Sequence, residues 1–272
     1  MVIISHHEMY FMFGANFNPV LLVGIVYAVT LSIICAYLWV RGRFSDRMRF
    51  LILTITIIIG FATFSPMIPH QFQGLVEHLA DGKRIGTILF SGIVGLGMLT
   101  LLTALFGRHF CGYLCPVGAV QEVVHTTPTP KVMIQQKGIL SVIRIIFLVA
   151  IIVGAFLFGI ELLDYFGFSS FFKLTITGGT LVFVAILILS IIIYRPFCRA
   201  VCPAGAIFQL GALPSSYKIR RTDACIKCGK CEKVCPTGES GEDDRKSECY
   251  LCRRCIGICP KEGALVYGRK ND

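Results

Sequence analysis

The chain has 272 residues, of which 55% are hydrophobic and only 15% charged, with a formal net charge of +10. A soluble domain usually carries about a quarter charged residues, so an ordinary soluble protein is excluded. The excess Lys and Arg gather beside the apolar runs and in the tail, which fits membrane topology and argues against nucleic acid as a partner.

In chain order, the N-terminus MVIISHHEMYFMFGANFNP lacks a basic n-region and a small-residue cleavage site. The first apolar segment is therefore expected to be retained. His6 and His7 with Glu8 read as a solvated terminus, and Tyr10–Phe13 as an interfacial aromatic belt. Five spans follow: Pro19–Val40, Phe50–Pro69, Ile85–Gly107, Gly138–Ile160 and Leu174–Tyr194. Each reaches about 20 residues, the length that crosses a bilayer as a helix. Pro66 and Pro69 are tolerable where neighbouring helices satisfy the freed carbonyls. Arg144, the one charge inside the fourth span, is expected to snorkel to an interface. Tyr165–Phe172 reads as a second aromatic belt.

Loop 41–49 carries four arginines, and 108–137 carries Arg108, Lys131 and Lys137, whereas loop 161–173 has only Lys173. This bias places the N-terminus outside and the C-terminus in the cytoplasm. His70, Glu77 and His78 fall in the outer loop. A quinol site needs a hydrogen-bond acceptor and a base near an interface, although loop histidines are commonly just solvated.

The sequence also repeats. RHFCGYLCPVGA at 108–119 returns as RPFCRAVCPAGA at 195–206, an offset of 87 residues. Each copy ends an apolar hairpin of the same sense, so the halves form a parallel repeat about an axis along the membrane normal. That arrangement turns the two Cys-x3-Cys-Pro loops toward each other. Proline disfavours the α conformation in the residue before it, so Cys115 and Cys202 are expected in extended turns, with Pro116 and Pro203 opening the next short helices. His109 and His125 flank the first copy, but Pro196 stands where His109 would recur, which argues against a paired ligand role.

There are 13 cysteines. Cys35 lies alone in an apolar run and reads as a small buried hydrophobe. The polar tail contains CIKCGKCEKVCP at 225–236 and CYLCRRCIGICP at 249–260. Both have the Cys-x2-Cys-x2-Cys-x3-Cys-Pro spacing of bacterial ferredoxins, in which the fourth Cys of each run serves the other cluster. The spacing assigns Cys225, Cys228, Cys231 and Cys259 to one [4Fe–4S] cluster. Cys249, Cys252, Cys255 and Cys235 belong to the other. A zinc ribbon has no use for the third Cys or the trailing proline. Lys227, Lys230, Lys233, Arg253 and Arg254 lie near these anionic centres, where they either tune or dock, or form a solvated face.

For Cys111, Cys115, Cys198 and Cys202 several roles stay open: a further Fe–S cluster, another soft metal, a redox dithiol, or reduced thiols. A disulfide is disfavoured on the reducing side of a membrane. No phosphate-binding, dinucleotide or hydrolase motif occurs, and no catalytic residue is assigned; Gly95 and Gly97 read as close helix packing.

The two Cys-x3-Cys-Pro motifs after the third and fifth spans, followed by a two-cluster ferredoxin tail, resemble the NapH/NosR-type polyferredoxin-like membrane proteins. The likeness covers roughly residues 50–272 and is nearest in layout to the NapH form; the first span is additional. Features of longer relatives, an N-terminal flavin-binding domain or a C-terminal extracytoplasmic domain, are not seen. The resemblance implies a quinol-linked oxidoreductase subunit with cytoplasmic-side clusters. The expected fold is thus an all-α polytopic membrane domain over 1–215, then a small α+β ferredoxin-like domain over 216–272. Expected partners are membrane lipid, quinone and a redox protein. The alternative function is a metal (for example copper) reductase or maturation factor acting through the four membrane-edge thiols.

Overall fold

The computed structural model describes residues 19–63, 72, 75, 76, 87–158 and 162–269. His6, His7, Glu8, Tyr10–Phe13, Pro66, Pro69, His70, Glu77 and His78 lie outside the described residues. The chain is mostly helical. In order it forms α1 (Pro19–Val40), α2 (Asp46–Thr63), α3 (Thr87–Phe106), a π-helical turn (Phe110–Leu114) and α4 (Pro116–Val124). Then come α5 (Lys137–Val153), a second π-helical turn (Gly154–Phe158), α6 (Phe168–Phe172) and α7 (Gly178–Ile192). Short α8 (Pro196–Ala200) and α9 (Pro203–Ala212) lead to β1 (Tyr217–Arg221), α10 (Lys230–Val234), α11 (Arg254–Gly257) and β2 (Leu265–Arg269).

Each expected span is helical in its described part, but the ends differ for local reasons. α2 begins at Asp46, an acidic residue suited to a helix N-terminus, and so takes Arg47 and Arg49 into the helix. α7 begins at Gly178, after the start of its apolar run, because Thr177 and Thr180 cap each other reciprocally. Among the described residues one helix, Gly138–Phe158, is by itself long and apolar enough to cross a membrane. The apolar helical stretches Val26–Val40, Gly92–Phe106 and Gly178–Ile192 are shorter. Large apolar side chains on these helices and on α2, among them Leu51, Ile58, Ile146, Leu157 and Leu181, point outward and are exposed.

Arg144 does not snorkel. It is fully buried, drawn inward by an ion pair with Glu248 and by Gln209, whose Oε1 accepts at 2.6 Å. An interior carboxylate and amide, distant in sequence, offer better solvation than the helix surface.

The elements around the cysteines obey the Cys-Pro rule. Cys115 (φ −84°, ψ 117°) and Cys202 (φ −61°, ψ 114°) are extended, and Pro116 and Pro203 open α4 and α9. Upstream the two copies part. In the first, Gly107 turns the chain at φ 78° and a π-helical turn carries Cys111. In the second, Arg195 takes the left-handed conformation (φ 47°, ψ 57°) and Pro196 starts α8.

The halves interlock symmetrically. α4 packs on α2 of its own half and on α7 of the other; α9 packs on α5 of its own half and on α3 of the other. At the α2–α4 crossing, Gly60 permits close approach: a β-carbon there would stand 2.6 Å from Cβ of Pro116 and 3.1 Å from the Phe172 ring.

Beyond α9, β1 and β2 pair antiparallel, with Ile219 opposite Tyr267 and Arg221 opposite Leu265. The two Cys-rich loops share one backbone trace. Lys227 (φ 51°) and Gly229 (φ 70°) in the first match Leu251 (φ 56°) and Arg253 (φ 64°) in the second, all left-handed. Such turns gather backbone N–H groups into anion-binding concavities.

Replacing Gly60 with Ala should lower stability by about 1–3 kcal/mol through overpacking. Thermal unfolding of the detergent-solubilised chain checks this; a Tm equal to wild type would show that the crossing tolerates a methyl group.

Candidate iron–sulfur centres

The structure gathers twelve cysteines into three separate sets. Cys225, Cys228, Cys231 and Cys259 line one pocket beneath β2. Cys235, Cys249, Cys252 and Cys255 line a second, of about 290 Å³. Cys111, Cys115, Cys198 and Cys202 line a third chamber, walled by Arg108, Phe110 and Phe208. Within the ferredoxin fold, the fourth Cys of each run stands with the other run's first three, as the spacing implies. None of the thirteen cysteines forms a disulfide, and Cys35 is buried in the helical core.

The third chamber is assembled by contacts between the halves, from Arg195 and Gln121, and by one within the second half, from Arg144. Arg195 of the second copy donates to the carbonyl of Cys111 and, at 2.7 Å, to that of Gly112. Arg144 reaches the carbonyl of Cys198 at 3.4 Å. Gln121 on α4 donates to Cys198 Sγ at 3.3 Å, while its Oε1 accepts from the Phe197 N–H at 3.1 Å. Glycine is needed where the guanidiniums pass. A β-carbon on Gly118 would meet the Cys111 carbonyl at 2.9 Å and Arg195 at 3.1 Å; on Gly205 it would meet the Cys198 carbonyl at 3.0 Å and Arg144 at 3.3 Å. These two glycines are equivalent in the repeat.

Two buried carboxylates organise the surrounding arginines. Glu122 on α4 binds Arg49 at 2.9 Å, Arg195 at 2.9 Å and Arg254 at 2.8 Å. Glu248, just before the second Cys-rich loop, binds Arg108 at 3.3 Å and also Arg144. Burial alone would raise the Glu122 carboxyl, but the guanidiniums of Arg195, Arg254 and Arg49 outweigh it and hold the group down at about 2. Neither glutamate stood out in the sequence, where each looks like an ordinary solvated charge; only the matched Arg108 and Arg195 of the repeat signalled that something anionic lies near.

The flanking histidines fall outside the chamber lining. His109 is buried among Trp39, Tyr113 and Tyr267, and burial pulls its imidazole down to about 3. His125 Nδ1 pairs with the Ser190 carbonyl at 2.8 Å. Of the basic residues in the Cys-rich loops, Lys227, Lys230 and Lys233 are exposed. Arg253 and Arg254 turn inward instead, to Phe44 and Asp46 and to Glu122.

The donor chemistry fits clusters. Each set is four thiols. Four thiols are the ligand complement of one [4Fe–4S] cluster. Burial pushes the Cys198 thiol up to about 11, against the pull of Arg195, and Cys115 and Cys202 up as well. These thiols release protons only when something cationic takes their place. Among the described residues, five arginines are buried against three glutamates, and thiolate-ligated clusters are anionic groups that would balance the surplus.

A family profile described as a 4Fe–4S binding domain matches residues 88–128 and 175–222, which hold the two Cys-x3-Cys-Pro turns. A second profile of the same description matches 219–238. A ferredoxin-type protein NapH of Escherichia coli is 24% identical over 205 residues, 69% of this chain and 70% of that protein. These matches support a NapH/NosR-type 4Fe–4S ferredoxin-like family for the chain. Other relatives lie at similar distance. An uncharacterized protein of Methanocaldococcus jannaschii is 28% identical over 206 residues, 71% of this chain and 76% of its own length. The putative electron transport protein YccM of Escherichia coli is 29% identical over 189 residues, 61% of this chain and 53% of YccM, so the match spans about half of that relative. No solved structure matches.

Replacing Glu122 with Gln leaves three guanidiniums facing a neutral group and should cost about 3 kcal/mol or more near neutral pH. Because the folded-state carboxyl is depressed, this stabilisation is complete above its ordinary value of 4.5 and fades as pH falls toward about 2. The Tm gap between wild type and E122Q should therefore narrow between pH 6 and pH 3; a constant gap would contradict the clamp.

Proposed function

We propose that the protein is a membrane electron carrier with three iron–sulfur centres, passing electrons between membrane quinol or quinone and a redox partner. The observation that carries this reading is the stacking of the four-cysteine chamber, at the ends of the apolar helices, directly against a ferredoxin-type fold with two further four-cysteine pockets. The ferredoxin-type and electron-transport names of NapH and YccM point the same way.

In this reading residues 1–215 form the membrane domain of five spans, and 216–272 the ferredoxin domain on the cytoplasmic side. Outward-facing apolar side chains on α2, α5 and α7 support a lipid environment. Arginines cluster at the end that carries the cysteines, which supports the orientation. Cys225, Cys228, Cys231 and Cys259 would hold one [4Fe–4S] cluster, Cys235, Cys249, Cys252 and Cys255 the second, and Cys111, Cys115, Cys198 and Cys202 the third. Bound there, the clusters supply one-electron transfer without proton chemistry.

The polypeptide does the rest. Arg195 and Arg144 pin the carbonyls of Cys111 and Cys198, so that the turns keep their spacing whatever the occupancy. The apolar walls Phe110 and Phe208 keep water from the chamber, and the adjacent guanidiniums would favour the more anionic state of a group held there. The metal-handling alternative would use these same four thiols on a single ion.

The test is iron and acid-labile sulfide per chain, with EPR, on wild type and on the C111S/C115S/C198S/C202S variant. Three four-iron centres predict about twelve irons in the wild type and about eight in the variant, with both ferredoxin signals retained. About eight in both would leave the membrane-edge cysteines as bare thiols.

A further inference from the structure

The second Cys-rich loop is gripped by the first Cys-x3-Cys-Pro turn residue against residue. The Tyr250 carbonyl lies so close to Gly112 that a β-carbon there would stand 2.6 Å from it. The Tyr113 hydroxyl donates to the Leu251 carbonyl, and Arg49 donates to that of Cys252 at 2.7 Å. The Tyr250 ring is buried between two guanidiniums, Arg108 at 4.3 Å and Arg195 at 5.0 Å. Those arginines are equivalent in the repeat, each three positions before the first Cys of its motif. Tyr250 thus sits between the two halves, lining the Cys235/Cys249/Cys252/Cys255 cavity, while Arg108 lines the four-cysteine chamber.

The other Cys-rich loop is placed differently. Among the described residues no hydrogen bond joins 225–231 to either Cys-x3-Cys-Pro turn, and Cys228 is exposed. The second loop offers a short connection: Cys249 is bonded to Tyr250, whose carbonyl packs on Gly112, which is bonded to Cys111; a contact from the other turn, Arg199 to the Pro236 carbonyl at 3.2 Å, leads to Cys235 of the same centre.

We infer that the Cys249–Cys252 loop is the electron junction between the chamber and the ferredoxin fold, with the Gly112–Tyr250 contact as its coupling element. This rests on the reading that both sets hold clusters. In each event one centre loses one electron and the other gains it; no bond breaks and no proton moves. The order is then fixed: chamber, the Cys235/Cys249/Cys252/Cys255 centre, the Cys225/Cys228/Cys231/Cys259 centre, and exit at the exposed Cys228 edge. Gly112 and Tyr250 act as positioning residues.

The test uses the full chain with its clusters assembled and compares wild type, Gly112→Ala, Tyr250→Leu and Tyr250→Phe. Iron content, the EPR line broadening from spin coupling between centres, and the transfer rate after a one-electron pulse are followed by freeze-quench EPR. Gly112→Ala and Tyr250→Leu should keep their iron, lose spin coupling and slow transfer by an order of magnitude or more. Tyr250→Phe, which keeps ring and backbone contact, should match wild type. So should Tyr267→Phe, which removes a different bridge from the ferredoxin fold to the helices, the hydrogen bond to the Phe106 carbonyl. Wild-type rate and coupling in Gly112→Ala and Tyr250→Leu would overturn the junction, as would slow transfer in Tyr250→Phe. A wild type with only about eight irons would overturn the three-centre reading itself, so the two failures are told apart by the iron count.

Discussion

Glu122 sits on α4, just after the first Cys-x3-Cys-Pro turn, and receives Arg49 from α2, Arg195 from ahead of the second turn and Arg254 from the ferredoxin fold. Three segments otherwise free to slide are thereby tied at one buried point. Removing one partner from such a node leaves charge with no solvent to relax into. The ionised carboxylate thus helps to hold the second turn against the first. The chamber's geometry follows, because Arg195 pins the Cys111 and Gly112 carbonyls from the same side chain that Glu122 holds.

The repeat is symmetric in backbone contacts but not in charge, and the difference orients the ferredoxin fold. By the 87-residue offset the counterpart of Glu122 is Gln209, which accepts a hydrogen bond from Arg144 but brings no charge. The missing carboxylate comes from Glu248 of the ferredoxin fold, which pairs with Arg144 and Arg108. One half thus supplies a carboxylate to the ferredoxin fold, and the other half takes one from it. A pseudo-symmetric platform with this asymmetry accepts the ferredoxin fold in one orientation, the one that lays Tyr250 over the chamber.

What the sequence made legible is what local chemistry controls. Cys-Pro steps dictate the extended Cys115 and Cys202, and the ferredoxin spacing pairs Cys235 with the second run. The repeated motif brings the four remaining cysteines together. The illegible features are non-local. Glu122 finds its arginines 73 and 132 positions away, and nothing in its neighbourhood separates it from a solvated charge. Arg144 was misplaced for the same reason, since its partner Glu248 lies 104 positions on. The π-helical turn at Cys111 arises from a shift in hydrogen bonding that leaves no mark on hydrophobic periodicity, and the late start of α7 depends on a threonine pair inside an apolar run.

The central claim is that Cys111, Cys115, Cys198 and Cys202 enclose an iron–sulfur centre continuous with the ferredoxin fold. An anomalous difference map at the iron edge, from crystals of the full chain, addresses it most directly. The account predicts three separate iron peaks, one of them enclosed by those four sulfurs and lying on the Gly112 side of Tyr250. Two peaks, both within the ferredoxin fold, with the four membrane-edge sulfurs ringing no iron, would contradict it.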